Sequence, residues 1–288
     1  MRGRPTAQAP GLPCAAVVAT LALLALPHST RAELLPLWEL GAGAAVVSLP
    51  DYRGADQGRA WLLPFPYIVY RGEVLKADER RVRGLFFERE RFELDISANL
   101  QPPVDSGDNR ARSGMPDLDP VIEIGPSLNL SLHRSPDRRT EVELRLPLRA
   151  AIATDLSRVD FAGWVFQPNL NVDFRDTFGR PGLKSGFLLG PMFADRRYHH
   201  YYYGVDPDFS APGRPAYNPG GGYAGTQVIA TLSKRFPQFW VGGFIRWDTV
   251  NHAVFEDSPL VRTRKFFAAG IAAAWMIGES KTLVEGTR

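Results

Sequence analysis

Across residues 141–152 the even positions, Val142, Leu144, Leu146, Leu148, Ala150 and Ile152, are apolar, while their odd neighbours include Glu141, Glu143, Arg145 and Arg149. Phe92, Leu94, Ile96 and Ala98 alternate in the same way with Glu93, Asp95, Ser97 and Asn99. Trp164, Phe166, Leu170, Val172 and Phe174 oppose Gln167, Asn169, Asn171 and Asp173. Period two is the signature of a strand whose two faces meet different surroundings. Further segments of this kind cover residues 121–132, 226–232, 239–248 and 266–277. Beyond residue 32 no apolar stretch has a 3.6-residue period and helical length. The expected class is therefore all-β. Eleven strands are counted, and one more hairpin fits between Glu73 and Leu100, so the expected number is ten to twelve. Pro147 and Pro168 fall inside two of these segments, where they cannot donate to a ladder. They are expected to mark bulges or strand ends.

Alternation alone fits a soluble sandwich as well as a membrane barrel, and two details favour the barrel. The polar face carries acids and bases at strand centres, as a polar lumen does. Aromatic residues also bracket the apolar face. Trp164 and Phe174 are ten residues apart, roughly 33 Å at ~3.3 Å per residue. Tilted by ~40°, that projects to about 25 Å, the height of the apolar band on an outer-membrane barrel. Phe239 and Trp247, like Phe267 and Trp275, stand eight residues apart, which places rings near both interfaces.

The N-terminus changes this picture by supplying an address. Arg2 and Arg4 precede an apolar run over residues 15–26, and Thr30 and Ala32 occupy the small-residue positions before a cleavage site. That order predicts a secretory signal peptide over residues 1–32, leaving an outer-membrane β-barrel domain over residues 33–288. The run is too short for a membrane anchor, which needs about twenty apolar residues. The chain has 34 Lys and Arg against 31 Asp and Glu. Residues 1–32 hold three arginines and no acid, so the remainder is formally neutral. Nothing there resembles the basic surface that tracks phosphates, and nucleic acid is excluded as a partner. Arg80, Arg81 and Arg83, and Arg262, Arg264 and Lys265, read as solvated hairpin ends or headgroup contacts. The only cysteine, Cys14, lies in the signal, which excludes disulfides, thiolate metal sites and Cys nucleophiles from the exported chain.

Several motifs resemble the family of MltA-interacting protein (MipA) and OmpV, outer-membrane barrels of Gram-negative bacteria. They include Leu49-Pro50-Asp51-Tyr52-Arg53-Gly54, Leu63-Pro64-Phe65-Pro66-Tyr67 and Gly114-Met115-Pro116-Asp117-Leu118-Asp119-Pro120. Glu123-Ile124-Gly125-Pro126, Tyr202-Tyr203-Gly204-Val205, Gly221-Gly222-Tyr223-Ala224-Gly225 and Phe255-Glu256-Asp257-Ser258-Pro259-Leu260-Val261 complete the set, in order along residues 38–277. The resemblance implies a barrel in the outer-membrane lipid. It also implies a structural role in the cell wall, as a scaffold joining a lytic transglycosylase to a murein synthase. One departure stands out. Such barrels end on an aromatic residue, whereas here residues 279–288 follow Trp275-Met276-Ile277.

Candidate chemistry is sparse. Asn251, His252 and Ser258 are the residue types of a hydrolase, but no nucleophile elbow surrounds the serine, and a polar loop is expected. His199 and His200, read as adjacent strand residues among Tyr198 and Tyr201–Tyr203, would point to opposite faces and form an aromatic girdle or loop entrance, not a metal site. Asp105, Asp108, Asp117 and Asp119 offer oxygen ligands for calcium, though a turn explains them more economically. No catalytic residue, metal ligand or cofactor is assigned, and an enzyme is not expected. The lumen-facing candidates are Glu93, Asp95, Glu141, Glu143, Arg145, Arg149, Asp173, Arg246 and Asp248. Lining water, these charges would make a porin-like channel for small solutes, the rival to the scaffold. Pairing across a narrow lumen, they would plug it. A surface adhesin is a third class.

Overall fold

The computed structural model describes residues 34–71, 75–77, 82–84, 87–89 and 91–285. The expected signal, its cleavage site and the Arg80-Arg81 pair lie outside them. Two long strands open the sheet, β2 (Trp38–Pro50) and β3 (Gly58–Arg71), after a short β1 (Leu34–Pro36). Three three-residue segments follow: β4 (Leu75–Ala77), β5 (Val82–Gly84) and β6 (Phe87–Arg89). The chain continues through β7 (Phe92–Gln101), β8 (Val121–Arg134), β9 (Thr140–Thr154), β10 (Val159–Phe166) and β11 (Asn169–Phe174). It closes with β12 (Leu183–Ala194), β13 (Gly222–Arg235), β14 (Phe239–Thr249), β15 (Lys265–Glu279) and β16 (Leu283–Glu285). Every segment of alternation in the sequence lies inside one of these strands except Trp164–Phe174, which β10 and β11 divide between them.

All strand pairs are antiparallel, and the hydrogen-bonded order is β5-β4-β3-β2-β15-β14-β13-β12-β10-β9-β8-β7-β6. Most chain neighbours are therefore sheet neighbours; β15 returns to β2, and β5 and β6 form the two ends of the path. The two ends of the path come together, because β5 also packs against β7, and the strands enclose a lumen. β11 shares the slot of β10 between β9 and β12. Among the described residues ten slots hold long strands. The short β4, β5 and β6 fill the gap between β3 and β7, within the stretch where the sequence pattern blurs. The result is a single antiparallel β-barrel in the expected range.

The wall is apolar outside. Trp164, Leu170, Leu189, Ile245, Phe267, Ile271 and Trp275 are all exposed. The cross-strand register pairs Phe239 with Trp275 and Trp247 with Phe267, so one aromatic pair sits at each end of β14 and β15. Aromatic rings at both rims of an apolar band are what the two interfaces of a bilayer select.

The prolines fall together. β10 ends at Phe166 opposite Leu148 and β11 begins at Asn169 opposite Arg145, so the Gln167-Pro168 break faces Pro147 across the ladder. On the other side of β9, the pairing of β8 skips Gly125 and Pro126. A proline withholds one ladder donor. Aligning the prolines at one level confines the lost bonds to a single seam, where the Gln167 N–H still donates to the Pro147 carbonyl at 3.2 Å.

Past the wall, β1 pairs with β16, and the Ser280 N–H donates to the Trp38 carbonyl at 2.9 Å. The residues after Trp275 thus prolong the β2–β15 ladder beyond the aromatic rim. The two rims differ sharply. At one, the turn end, strands are joined by residues 135–139, 175–182 and 236–238. At the other, the loop end, the connections are residues 51–57, 102–120, 155–158, 195–221 and 250–264.

Candidate functional site

The loop end is closed by a packed cap. Its centre is a helix the period-two reading did not anticipate, α1 (Arg196–Tyr203). The Asp195 carboxylate caps it, accepting from the Tyr198 N–H at 2.8 Å. Strand β10 makes room beneath it through a bulge between Phe161 and Gly163. Gly163 has φ +127°, and a Cβ there would stand 2.6 Å from the Tyr198 nitrogen, so neither conformation nor space admits a side chain. Because residues 198–203 are helical and not extended, the expectation that His199 and His200 alternate across a strand is corrected. Successive helical positions turn by ~100°, so His199 is buried while His200 stays partly exposed beside Asp206 at 3.3 Å.

Around α1, aromatic rings from three loops interlock, and a fourth loop, residues 102–120, adds Arg112. Tyr203 stacks on Phe255 with centroids 3.6 Å apart, and Phe255 is fully buried. Tyr52 meets Tyr203 edge-on and donates to the Leu260 carbonyl at 2.8 Å. Tyr203 donates to the Arg53 carbonyl at 2.9 Å. The buried Arg112 guanidinium donates to Ser106 Oγ and to the carbonyls of Tyr202 and Pro116, at 3.1, 3.2 and 3.1 Å, so its charge is solvated by peptide dipoles. Burial lowers its pKa, and burial raises those of Tyr52, Tyr198, Tyr202 and Tyr203 well above the ordinary phenol; Tyr201 is pushed up to about 12. The pKa of His199 is lowered, chiefly by desolvation. Its Nδ1 lies 2.7 Å from the Gly220 carbonyl, which can only accept, so Nδ1 carries the proton. Nε2 is then a bare nitrogen with no hydrogen-bond partner among the described residues.

The other loop candidates act in this packing. Ser258 donates to the Tyr203 carbonyl at 2.8 Å and is buried, while His252 is exposed and its N–H donates to Glu256 at 2.6 Å. Asp117 accepts from the Ser106 N–H at 2.7 Å and Asp105 from the Gly107 N–H at 2.8 Å, so these carboxylates close turns. Among the described residues no group of three His, Cys, Asp or Glu side chains is placed to hold a metal ion.

Beneath the cap the inner wall carries charge in paired sets. Arg149 lies 3.0 Å from Glu123 and donates to Ser97 at 3.2 Å and to Gln167. Glu123 also accepts from Tyr198 at 3.0 Å, tying the helix to the wall. Arg145 reaches Glu143 at 2.7 Å and Asp173 at 3.7 Å. Asp248 lies between Arg246 at 2.7 Å and Arg53 at 3.1 Å. Glu141 pairs with Arg134 near the turn end. Glu93 and Asp95 stand opposite Asn129 and Ser127 in the ladder. Among the described residues, sequence reasoning missed charged residues of the lumen that include Glu123, Arg134, Arg53, Glu39 and Arg235; the last two pair at 2.9 Å. Glu123 had a legible signal, since Val121, Glu123, Ser127 and Asn129 alternate with Ile122, Ile124, Leu128 and Leu130. Arg53 had none, because only the packing of its loop carries it down to Asp248.

The fold and the site define an outer-membrane type of β-barrel, with an apolar outer wall, a charged inner wall and one stoppered mouth. A family model described as MltA-interacting protein MipA matches residues 42–277, and the chain belongs to that family. No curated protein matches the chain. Among solved structures, the crystal structure of the outer membrane protein OprG from Pseudomonas aeruginosa is similar at 9% identity. The match covers 86% of this chain and 96% of that one, with a TM-score of 0.24.

Proposed function

We propose that this protein is a non-conducting anchor of the outer membrane whose turn end serves as a scaffold for cell-wall enzymes. In this reading residues 1–32 are removed on export and residues 33–288 form the barrel. The observation that carries it is the cap: four loops, one of them carrying α1, pack apolar side chains and buried polar groups across one mouth. Paired charges below the cap support the same reading, since Arg145, Arg149 and Arg246 each meet a carboxylate. In outer-membrane barrels short turns face the periplasm and longer loops the outside. The family's name describes an interaction with MltA. A periplasmic partner would meet the turn end, where β1 and β16 project beyond the rim.

Planar-bilayer recording tests the first half. The expected result is no steady conductance step. Steady conductance whose ion selectivity shifts towards cations in the Arg145→Glu, Arg149→Glu double variant would establish the rival channel. Crosslinking tests the second half, because residues 33–288 contain no cysteine. Asp137→Cys or Lys281→Cys at the turn end should capture a lytic transglycosylase in cells, and Leu156→Cys at the loop end should not. Capture from Leu156→Cys alone would place the partner surface on the wrong side for a scaffold.

A further inference from the structure

The inner wall is not uniformly polar. Along one row of the ladder, which climbs from the turn end of β11 towards the loop end of β2, neighbouring inward positions are Asp173, Gly186, Thr231, Phe244, Gly270 and Val47. Charge and hydroxyl lie on the β11–β13 side, and ring and branched alkyl on the β14–β2 side. One level nearer the cap, Asn171, Leu188 and Ile229 repeat the transition. Between these walls lies a cavity of about 350 Å³. Its lining runs from near the turn end of β11 to the loop-end half of β2.

The cavity exists because two aromatic rings lie along the wall. A Cβ on Gly270 would stand 2.6 Å from the Phe244 ring and 2.8 Å from Val47, and one on Gly242 would stand 2.4 Å from the Trp240 ring. Glycine at both positions lets the rings lie back over the backbone and not project across the lumen, the way aromatic side chains cover strand glycines. The space so kept has an apolar wall of Val47, Ile229 and Phe244, faced by the hydrogen-bonding edge of Arg145, Asn171 and Thr231. Water filling it would forgo hydrogen bonds along the whole apolar side. A volume of this size with mostly apolar lining and a few convergent polar groups is the usual form of a small-molecule site.

We propose that the lumen binds a small amphipathic molecule, with its apolar body against Val47, Ile229 and Phe244 and one hydrogen-bonding group towards Arg145, Asn171 and Thr231. The cap seals the loop end, so the ligand reaches the site from the turn end. The proposal is independent of the scaffold reading, because a barrel can hold a ligand below its cap and still pass no current.

The probe for the test is N-phenyl-1-naphthylamine, an uncharged aromatic body with one N–H, titrated into the protein in lipid nanodiscs. Saturable fluorescence enhancement at one probe per barrel is expected, over the linear partitioning seen in protein-free discs. Ile229→Trp and Thr231→Trp, which fill the cavity, should each weaken binding at least tenfold. Val228→Trp, on the lipid face of the same strand, should leave it unchanged. Slow migration of unheated samples on gels identifies the folded variants. Linear partitioning alone overturns the proposal, and so does saturable binding that folded Ile229→Trp or Thr231→Trp leaves intact. If neither variant folds, Ile229→Cys decides: saturating probe should slow its modification by N-phenylmaleimide at least fivefold, and an unchanged rate overturns the site.

Discussion

The cap and the wall of this barrel solve opposite burial problems with the same side chains. In the wall, Phe267 is 70% exposed and Trp275 59% exposed, while Asp95 and Glu123 are almost fully buried. In the cap, Phe255 and Leu260 are fully buried and Leu156, at the tip of a loop-end turn, is 96% exposed. The wall has lipid outside and charge pairs within; the cap is built as a soluble core is, rings inward. Hydrophobicity therefore gives no fixed direction in this molecule. The solvent outside each region does, and it changes from hydrocarbon to water at the aromatic rim.

That contrast is sharpest at Phe255. Phe255→Ala removes a ring stacked on Tyr203 in a closed core and should destabilise the cap by about 3–5 kcal/mol. Trp275→Ala, which removes a larger ring from the lipid face, should leave the cap's stability unchanged. Amide hydrogen exchange of residues 250–264 measures both, and equal deprotection in the two variants would break the contrast. Next in size, Leu144→Arg places a charge between Leu130 and Leu170 on the outer face and should cost about 2–4 kcal/mol if it lies near the bilayer midplane. Refolding titrations into vesicles check it. In the same assay Glu143→Gln, on the inner face of the neighbouring position, should cost only about 1 kcal/mol, because an amide still accepts from Arg145. Equal costs would mean the faces are reversed.

A smaller effect separates the regions by pH. The pKa of His199 in the folded cap is lowered, chiefly by desolvation and also by Arg53, against the raising influence of the Gly220 carbonyl and Asp195. The unfolded cap therefore binds a proton more readily than the folded one. The contribution of neutral His199 is complete above the unfolded pKa of about 6.5. It is lost progressively as pH falls from there towards the lower folded value. The protection factors of residues 196–203, taken against the intrinsic exchange rate at each pH, should fall over that window, while those of β14 and β15 stay constant. His199→Gln should abolish the fall, and its persistence would assign it to another group.

What was legible in the sequence follows from local rules. Alternation marked the strands and the outer face because each strand position sees one medium only, and the aromatic spacing in β14 and β15 gave the rims before any register was known. Pro147 and Pro168 announced interruptions. The sequence could not show that they align with Pro126 in one seam, since register is a relation between strands. The residues of α1, Arg-Arg-Tyr-His-His-Tyr-Tyr-Tyr, bury Tyr198, His199, Tyr202 and Tyr203 at helical spacing, but eight residues that are mostly tyrosine and histidine are too few and too alike for that period to be read from the sequence. Its helix is imposed by the Asp195 cap and by the rings that receive it.

By itself the sequence determined the class of fold, the facing of the strands and the residue types available to the lumen, because period and side-chain polarity are read one position at a time. The tertiary structure alone decided that the loops fill one mouth, that Arg53 descends to Asp248, and that the inner wall divides into a polar and an apolar side around a cavity. Those are outcomes of closure. Bending the sheet on itself brings strands far apart in the chain across a lumen from one another, and no local pattern encodes which faces will meet there.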